Sequence, residues 1–235
     1  MKNIPIINYG HIYDYIICPK LYYWKYIKNY KGIFPDQEQS IIGNKLHKAI
    51  NWHFNELNIP DTYFEYPEKL KLLWKNYLNS KYAIIPDKTN LKSECLFQLP
   101  LYINNTQVIF IVRIDRLIIE ENKVLILDWK TSKDIENNLK NEFQMKFYTF
   151  CLSHTLPKIL KDKKIDYFET NLVYLSLNKT VQNKWYINDL EVITEEIIDI
   201  TRKIIQEEYI ENPIKISFCK LCKFKNLCIT PLIKM

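Results

Sequence analysis

The sequence is short of glycine and has no long apolar segment. Only 3 of its 235 residues are Gly, against roughly 7% in an average protein, while Lys, Ile, Asn and Tyr are abundant. We interpret this mixture as compositional drift, which weakens any argument from basic charge alone. The longest apolar stretches, Val108–Val112 and Val124–Leu127, end at charged residues well before the roughly 18 residues that a membrane-spanning helix needs. We therefore expect no membrane partner.

The N-terminal sequence also lacks the apolar run and small-residue cleavage site of a secretory signal. We expect a reducing, cytoplasmic compartment, in which the 6 cysteines are thiols or metal ligands rather than disulfides. No fixed-period repeat and no Pro/Gly/Ser-rich linker divides the chain, so we expect one domain over residues 1–235. The net charge is +6, from 33 Lys and Arg against 27 Asp and Glu, and 47% of residues are apolar. That apolar content excludes an intrinsically disordered protein.

The spacing of apolar residues predicts a mixed α/β domain in three parts. Residues 1–90 are predicted to be mainly helical, residues 91–187 to form the core, and residues 188–235 to form a helix and a cysteine-rich segment. The predicted strands are Glu94–Ile103, Gln107–Glu120, Lys123–Lys130, Phe168–Leu177 and Val181–Ile187. The predicted helices are Tyr13–Tyr30, Ile42–Leu57, Tyr66–Leu78, Leu139–Leu152 and Asp189–Glu211, the last ended by Pro213. The predicted hairpin turns are Asn104-Asn105 and Glu121-Asn122.

Two aspartates and a lysine stand inside the predicted strands. Asp128 and Lys130 are two residues apart and share one face of a strand, while Asp115 lies on the preceding strand of the hairpin. Neighbouring carboxylates need a cation between them, and their hard oxygens suit Mg²⁺ or Mn²⁺. A metal beside the ammonium group of Lys130 is an arrangement for hydrolysing phosphodiesters. The alternative is three surface charges at strand ends, although an unpaired carboxylate inside an apolar strand is costly.

In sequence order these residues resemble the core of the PD-(D/E)XK nucleases, specifically the RecB-like branch. The similar segments are Arg113–Leu117, in which Ile114 replaces the proline of the family name, and Leu125–Thr131. Gly43–His47 resembles an upstream helix motif of this branch whose His contributes to the metal site. Gln144–Tyr148 resembles its downstream Q-x-x-x-Y motif, and the i, i+4 spacing puts both side chains on one helical face.

The resemblance implies a restriction-endonuclease-like fold, in which helices flank a mixed central sheet, and a metal-dependent nuclease. The implied catalytic residues are Asp115, Asp128, Lys130, Gln144 and Tyr148, and the implied metal ligands are His47, Asp115, Asp128 and the backbone carbonyl of Trp129. A His ligand would favour Mn²⁺ over Mg²⁺. Glu94 stands where such proteins often carry a Glu one strand earlier, and we leave it outside this set.

The resemblance also implies DNA as the substrate, as single strands or free ends, with an exonuclease more typical than an endonuclease. Repair, CRISPR adaptation and mobile-element processing are the pathways in which such nucleases act. A helicase or a CRISPR adaptation protein would be a partner on a separate chain.

Four cysteines have a spacing suited to a metal centre. Cys219-x2-Cys222-x5-Cys228 lies near the C-terminus, and Cys18 lies far upstream. Four thiolates fit either a structural Zn²⁺ or a [4Fe–4S] cluster, and spacing alone leaves both open, although a typical zinc ribbon would have a second C-x-x-C pair. A lone Cys followed by Pro and aromatic residues, with three C-terminal Cys, resembles the iron–sulfur staple of RecB-like nucleases. This resemblance implies a [4Fe–4S] cluster with a structural role.

Lysines alternate with aromatic residues in Lys20–Lys31 and surround the C-terminal cysteines in Lys215–Lys225. If Cys18 and Cys219 share a centre, the two segments meet and would bind nucleic acid through phosphates and aromatic stacking. The alternative is a solvated lysine face over a packed aromatic core. Cys95 and Cys151 have apolar neighbours, and we expect both in the core.

Two further classes of function stay open. One is a non-catalytic nucleic-acid-binding subunit that retains the nuclease fold, although the complete set of Asp115, Asp128 and Lys130 argues against it. The other is a structural partner protein held together by a metal, for which the basic segments only provide solubility. Salt-sensitive DNA binding would argue against this second alternative.

Overall fold

The computed structural model of the chain describes residues 4–30, 37–84, 91–133, 138–160, 164–209 and 216–229. The helices are α1 (Tyr9–Ile17), α2 (Pro19–Tyr22), α3 (Gln37–Phe54), α4 (Glu68–Leu78), α5 (Asn138–Ile159), α6 (Asp189–Ile205), α7 (Ile216–Leu221) and α8 (Lys225–Ile229). Shorter turns are a π-helix at Tyr23–Ile27 and 3₁₀ helices at Asp61–Phe64 and Lys81–Ala83. The strands are β1 (Ile6–Ile7), β2 (Leu91–Ile103), β3 (Thr106–Ile119), β4 (Lys123–Lys130), β5 (Tyr167–Tyr174) and β6 (Lys179–Tyr186). None of the described helices is long and apolar enough to cross a membrane.

Within the described residues, six strands form a single mixed sheet in the order β1-β3-β4-β5-β6, and β2 also pairs with β3. Strands β4 and β5 are parallel, whereas β3 and β4, like β5 and β6, are antiparallel. Helix α5 supplies the long connection that the parallel pair needs. The predicted mixed sheet flanked by helices is therefore confirmed. Strand β1 was not predicted because two residues are too few to show an alternating pattern.

Both predicted hairpins are present. Asn104 and Asn105 have positive φ angles of 47° and 61°, which a type I′ turn requires at its two central residues and which Asn tolerates. In the second hairpin, the N–H of Glu120 donates to the carbonyl of Lys123 at 2.9 Å, and Arg116 pairs with Leu127. This register brings the middle of β3 beside the C-terminal half of β4, where the predicted site residues lie.

Helix α6 is shorter than predicted. It ends at Ile205 rather than Glu211, because Glu207 adopts a left-handed φ of 60°. The N–H of Glu208 then donates to the carbonyl of Lys203 at 3.1 Å, the hydrogen bond that closes a Schellman-type C-terminus. The helical prediction was wrong here because glutamate is a good helix former and gives no local signal for this conformation.

The chain clusters into two compact units. The first unit comprises Met1–Pro35, Gln98–Ile111 and Val192–Met235, and the second comprises Asp36–Phe97 and Val112–Glu191. The core of the first unit is aromatic: the ring of Tyr22 stacks on that of Tyr209 with centroids 5.8 Å apart. The hydroxyl of Tyr15 donates to the carbonyl of Glu208 at 2.6 Å, which ties α1 to the end of α6.

The second unit is built on an apolar cluster between helices α3 and α4 and strands β4 and β5, with Trp129 nearly fully buried in it. The guanidinium group of Arg116 is also buried. It lies between the rings of Phe54 and Trp129, with centroids 5.3 and 5.4 Å away, and donates to the hydroxyl of Tyr77 at 3.2 Å. These contacts hold the end of β4 against the helices, and Trp129 is the residue between Asp128 and Lys130.

Candidate active site

Asp115 and Asp128 project from neighbouring strands of the second unit. Arg116 on β3 pairs with Leu127 on β4, so the next residues along this register are the two aspartates. Both are buried, with 8% and 3% of their surfaces exposed. Each carboxylate is therefore removed from most of its water and depends on neighbouring charges and donors.

Asp128 belongs to a hydrogen-bonded group that joins β4 to α5. The ammonium of Lys130 lies 2.7 Å from Asp128 Oδ2, and it donates to Gln144 Oε1 at 2.7 Å. Gln144 Nε2 donates to Asp128 Oδ1 at 2.8 Å and to the hydroxyl oxygen of Tyr148 at 2.6 Å. Gln144 thus holds the carboxylate and the ammonium in fixed positions.

Asp115 belongs to a second group that joins β3, β4 and α3. Its Oδ2 accepts a hydrogen bond from the backbone N–H of Trp129 at 2.8 Å, and its Oδ1 lies 3.1 Å from Nδ1 of His47. Nε2 of His47 lies 3.1 Å from the carbonyl oxygen of Trp129. A carbonyl and a carboxylate both only accept hydrogen bonds. Both ring nitrogens of His47 therefore carry a proton in this arrangement, and the ring is an imidazolium.

The pKa of His47 agrees with this assignment. Burial on its own lowers the pKa of this imidazole, but Asp115, Asp128 and Glu94 outweigh burial and raise it from 6.5 to about 9. Burial likewise raises the pKa of Asp128, and the charge of Asp115 adds to that increase while Lys130 opposes it. The protonated imidazole thus supplies one of the positive charges that this group of carboxylates attracts.

Glu94 was left outside the predicted site, but the structure places it there. Its Oε1 lies 4.0 Å from Nδ1 of His47, and burial and the charge of Asp115 raise its pKa. Although it lies in β2, Glu94 has a left-handed φ of 50°, which is a strained conformation for a residue other than Gly. Simple strand alternation could not predict its direction. The signal available in the sequence was the same as for the two aspartates, an acidic residue inside a β-rich run.

The donor set fits a hard divalent cation. Ligand atoms of His47, Glu94 and Asp115 all lie within 4.8 Å of one another, the one such group of metal-binding side chains in the described part of the chain. The carbonyl oxygen of Trp129 is at the same place, beside His47. The oxygens of Asp128, which we predicted as a ligand, lie beside Lys130 and Gln144. Carboxylate and carbonyl oxygens with one imidazole suit Mg²⁺ or Mn²⁺.

A further polar pair extends the α5 side of the site. Asn141, one turn before Gln144, donates from Nδ2 to the hydroxyl of Tyr174 at 2.6 Å, and both residues are buried. Tyr174 is the parallel-sheet partner of Lys130, so its side chain lies on the same face of the sheet. This pair could not be predicted, because Asn141 and Tyr174 are far apart in the chain and neither belongs to a motif.

The four predicted cysteine ligands all lie in the first unit. Cys18 lies between α1 and α2, Cys219 in α7, Cys222 between α7 and α8, and Cys228 in α8. Burial raises the pKa of the Cys222 thiol, and the thiols of Cys228, Cys18 and Cys219 raise it further. The other three thiols are therefore close enough to Cys222 to disfavour its ionisation. Of the other two cysteines, Cys151 is buried as predicted, while Cys95 is partly exposed.

Part of the predicted basic and aromatic surface is turned inward. The ammonium of Lys25 is paired with Asp14 at 2.7 Å, and the hydroxyl of Tyr26 donates to the same carboxylate at 2.8 Å. Tyr22 is 6% exposed, and Lys28 lies over the ring of Tyr23, with its nitrogen 5.6 Å from the centroid. Tyr30 and Lys28 are exposed, as are Lys220, Lys223 and Lys225 near the C-terminal cysteines, so the prediction of a basic surface stays open. Lys31 and Lys215 lie outside the described residues.

Comparisons with known proteins agree with this geometry. The family model described as the PD-(D/E)XK nuclease superfamily matches residues 7–229. Among solved structures, 40 chains are similar. One of them, the crystal structure of SSO0001, has a TM-score of 0.50 and 13% sequence identity, covering 97% of this chain and 88% of the other. At that identity the likeness concerns the fold alone. No curated protein matches the sequence.

Proposed function

Since this chain belongs to the PD-(D/E)XK nuclease superfamily, we propose that it is a divalent-metal-dependent deoxyribonuclease acting through the site on β3, β4, α3 and α5. The observation that carries the proposal is the pairing of two groups on adjacent strands. One is the cation-attracting set of His47, Glu94 and Asp115, and the other is the ion pair of Asp128 with Lys130, held by Gln144.

His47, Glu94, Asp115 and the carbonyl of Trp129 would hold the metal, with Asp128 at its edge. When bound, Mg²⁺ or Mn²⁺ would act as a Lewis acid and lower the pKa of a coordinated water. The chain's own residues supply the rest. Lys130 presents a compact ammonium that stabilises the negative charge developing on the phosphate oxygens. Gln144 keeps this ammonium beside Asp128, and Tyr148 holds the amide of Gln144 in turn.

The finer assignments rest on the sequence motifs of the RecB-like branch. We propose that residues 1–235 act as one nuclease domain in the cytoplasm, on single-stranded DNA or free ends, as an exonuclease more than an endonuclease. Repair, CRISPR adaptation or mobile-element processing would be its setting, with a helicase or a CRISPR adaptation protein as partner. The motif around His47 and the Gln144–Tyr148 pair support this branch.

We also propose that Cys18, Cys219, Cys222 and Cys228 hold a [4Fe–4S] cluster with a structural role. The influence of the other three thiols on the pKa of Cys222 supports the proposal, as does the sequence pattern around Cys18. Anaerobically purified protein should be brown and contain about four iron atoms per chain. Zinc without iron in the elemental analysis would contradict the cluster and support a structural Zn²⁺ site instead.

The test of the nuclease is cleavage of a labelled single-stranded oligonucleotide with Mn²⁺, stopped by a chelator. Asp115→Asn should lose metal-dependent cleavage because it removes a charge from the cation-attracting set. The matched control is Asp166→Asn, which should cleave like the wild type. Asp166 is exposed and accepts a hydrogen bond from Asn122. Binding without cleavage by the wild type would favour the non-catalytic subunit. Equal cleavage by Asp115→Asn and the wild type would reject this site.

A further inference from the structure

A cavity of about 400 Å³ lies beside the ends of β4 and β5 in the second unit. The end of α4, the 3₁₀ turn after it and the hairpin between β5 and β6 form its walls, with Asn76, Asn79, Lys81, Tyr82, Lys179 and Thr180 among the lining residues. Together with Asn178, which also lines the cavity, these side chains carry two ammonium groups, three amides and two hydroxyls. No carboxylate is among the described residues that line it. The cavity is therefore positively charged and rich in hydrogen-bond donors.

Two other cavities of the second unit differ in charge. One of about 440 Å³ is lined by Asp61 and Glu65 with a single lysine, Lys71, so its charge is negative. Another, of about 180 Å³, is lined mainly by apolar residues such as Leu156 and Phe168. Neither would attract an anion. Charge thus distinguishes the cavity at Lys81 and Lys179 from these two.

The ammonium groups of this cavity are available to a ligand. Within the described part of the chain, neither Lys81 nor Lys179 has a carboxylate partner within 4.0 Å. Lys81 lies over the ring of Tyr82, with its nitrogen 5.0 Å from the centroid, and an ammonium in that position keeps its N–H donors free for an anion. Asn76 differs, because its Nδ2 already donates to the carbonyl of Leu175 at 2.8 Å.

The cavity is one strand away from Lys130. Tyr174 is the parallel partner of Lys130, and the N–H of Leu175 donates to the carbonyl of Lys130 at 3.1 Å. The hydroxyl of Ser176 donates to the carbonyl of Ser132 at 2.7 Å. Lys179 on β6 pairs with Tyr174, and neighbouring strands are about 4.8 Å apart, so Lys179 lies roughly 10 Å from Lys130 along the sheet. A few nucleotide units span that distance, so a strand bound at the nuclease site passes within reach of Lys179, and Lys81 lines the same cavity.

We propose that this cavity binds a backbone phosphate of the same nucleic-acid strand whose scissile phosphodiester lies at the nuclease site. The inference rests on the proposed function and adds a second contact to it. Lys81 and Lys179 neutralise the phosphate and release its counterions, while the amides and hydroxyls donate hydrogen bonds to its oxygens. Such contacts position a strand without reading its sequence.

The test is equilibrium binding of a labelled single-stranded oligonucleotide to the full chain, with a chelator present to prevent cleavage, over a series of salt concentrations. The variant is Lys81→Ala/Lys179→Ala. The control, Lys75→Ala/Lys184→Ala, removes the same charge from α4 and β6 outside the cavity. For a single strand each phosphate contact contributes about 0.7 to the slope of log affinity against log salt. The variant should lower the slope by about 1.4 relative to the wild type, equally for different sequences, while the control changes it little.

Lys81→Arg/Lys179→Arg should restore the slope, because the charge is retained. Equal slopes for the Ala variant and its control would overturn the proposal. It would also be overturned if the Ala variant bound the strand normally but lost affinity for inorganic phosphate at constant ionic strength, since the cavity would then be a free-phosphate site. Because these assays need no catalysis, an altered slope without any cleavage by the wild type would reject the nuclease alone. Normal cleavage with an unaltered slope would reject the phosphate site alone.

Discussion

The carboxylate site and the cysteine segment are both groups of side chains suited to metals, but the chain holds them differently. In the carboxylate site every charged group has a protein partner: Lys130 faces Asp128 at 2.7 Å and His47 faces Asp115 at 3.1 Å. Three of the cysteines raise the pKa of the fourth, Cys222, but among the described residues the four are not a group with all ligand atoms within 4.8 Å.

The difference follows from the chemistry of the ligands and from where they lie. Carboxylates on adjacent β-strands repel, so a fold that brings them together must include its own cations, here an ammonium and an imidazolium. Neutral thiols repel little, and three of the four lie on the short helices α7 and α8 and the link between them. We expect the carboxylate site to form without a metal and the cysteine segment to depend on its ligand.

The largest effect should come from removing the ammonium group. Lys130→Ala should lower kcat for single-stranded DNA with Mn²⁺ by about 10²–10³-fold, as loss of one charge-stabilising donor does in other enzymes. Lys123→Ala, at the other end of the same strand and paired with exposed Glu120, is the control and should retain kcat. Iron content should be unchanged in both variants. An equal kcat in Lys130→Ala would show that this lysine has no part in the chemistry.

The second experiment removes one proposed ligand from the cysteine segment. Cys222→Ser should lose iron and lower the unfolding temperature by about 5–10 °C, because ligand binding there joins chain segments far apart in sequence. Cys95→Ala, outside the four, should keep its iron. A variant that kept the colour and melting temperature of the wild type would mean that Cys222 is not a ligand. If the carboxylate site forms independently of the cysteine segment, the loss of iron should leave the ion pairs of the carboxylate site in place.

A third experiment uses the pKa of His47. Its value of about 9 means that a metal must displace a proton, so Mn²⁺ affinity should rise about tenfold per pH unit up to pH 9 and then level off. The folding stability of the chelated protein should change with pH in the opposite direction. A raised pKa stabilises the folded state fully below pH 6.5, and this contribution is lost as the pH rises through about 9.

His47→Gln should remove the pH dependence of both Mn²⁺ affinity and folding stability. His53→Gln, on the same helix, should retain both. Metal affinity is measured by titration and stability by urea unfolding in a chelator, each at several pH values. A wild-type metal affinity that did not vary between pH 6.5 and pH 9 would contradict the protonated imidazole.

Sequence reasoning recovered those parts of the site that lie in contiguous motifs. Asp128 and Lys130 share a face because strand alternation is regular, and Gln144 and Tyr148 share a face because helical spacing is regular. Glu94 was left out because its direction depends on a left-handed residue inside a strand, which Glu does not signal. Asn141 and Tyr174 meet only through the parallel pairing of β4 and β5. Such pairing depends on the whole fold and on no local pattern.

The packing of the aromatic residues in Lys20–Lys31 could not be predicted for a related reason. Alternating lysines and tyrosines predict charge and aromatic area, but they do not say which way the rings point. Here Tyr22 stacks on Tyr209, a residue at the far end of the chain, and Asp14 pairs with Lys25. Burial of aromatic area is favourable, so Tyr22 joins the core while Tyr30 stays exposed.

The smallest effect should come from the Asn141–Tyr174 pair, which separates positioning from chemistry within the carboxylate site. Tyr174→Phe leaves the buried Nδ2 of Asn141 without its 2.6 Å partner, and an unsatisfied buried donor costs about 1–3 kcal/mol of unfolding free energy. Tyr167→Phe, at the other end of β5, is the control and should cost much less.

Because Tyr174 lies beside Lys130 in the sheet, its loss should also let the ammonium group shift. We expect kcat to fall a few-fold with KM little changed, since both side chains are buried. An unaltered kcat with the full loss of stability would make the pair purely structural. A fall in kcat as large as that of Lys130→Ala would mean instead that Gln144 alone does not hold the lysine. The ion pairs at this site would then depend on α5 as a whole, and the contrast with the cysteine segment would be one of degree.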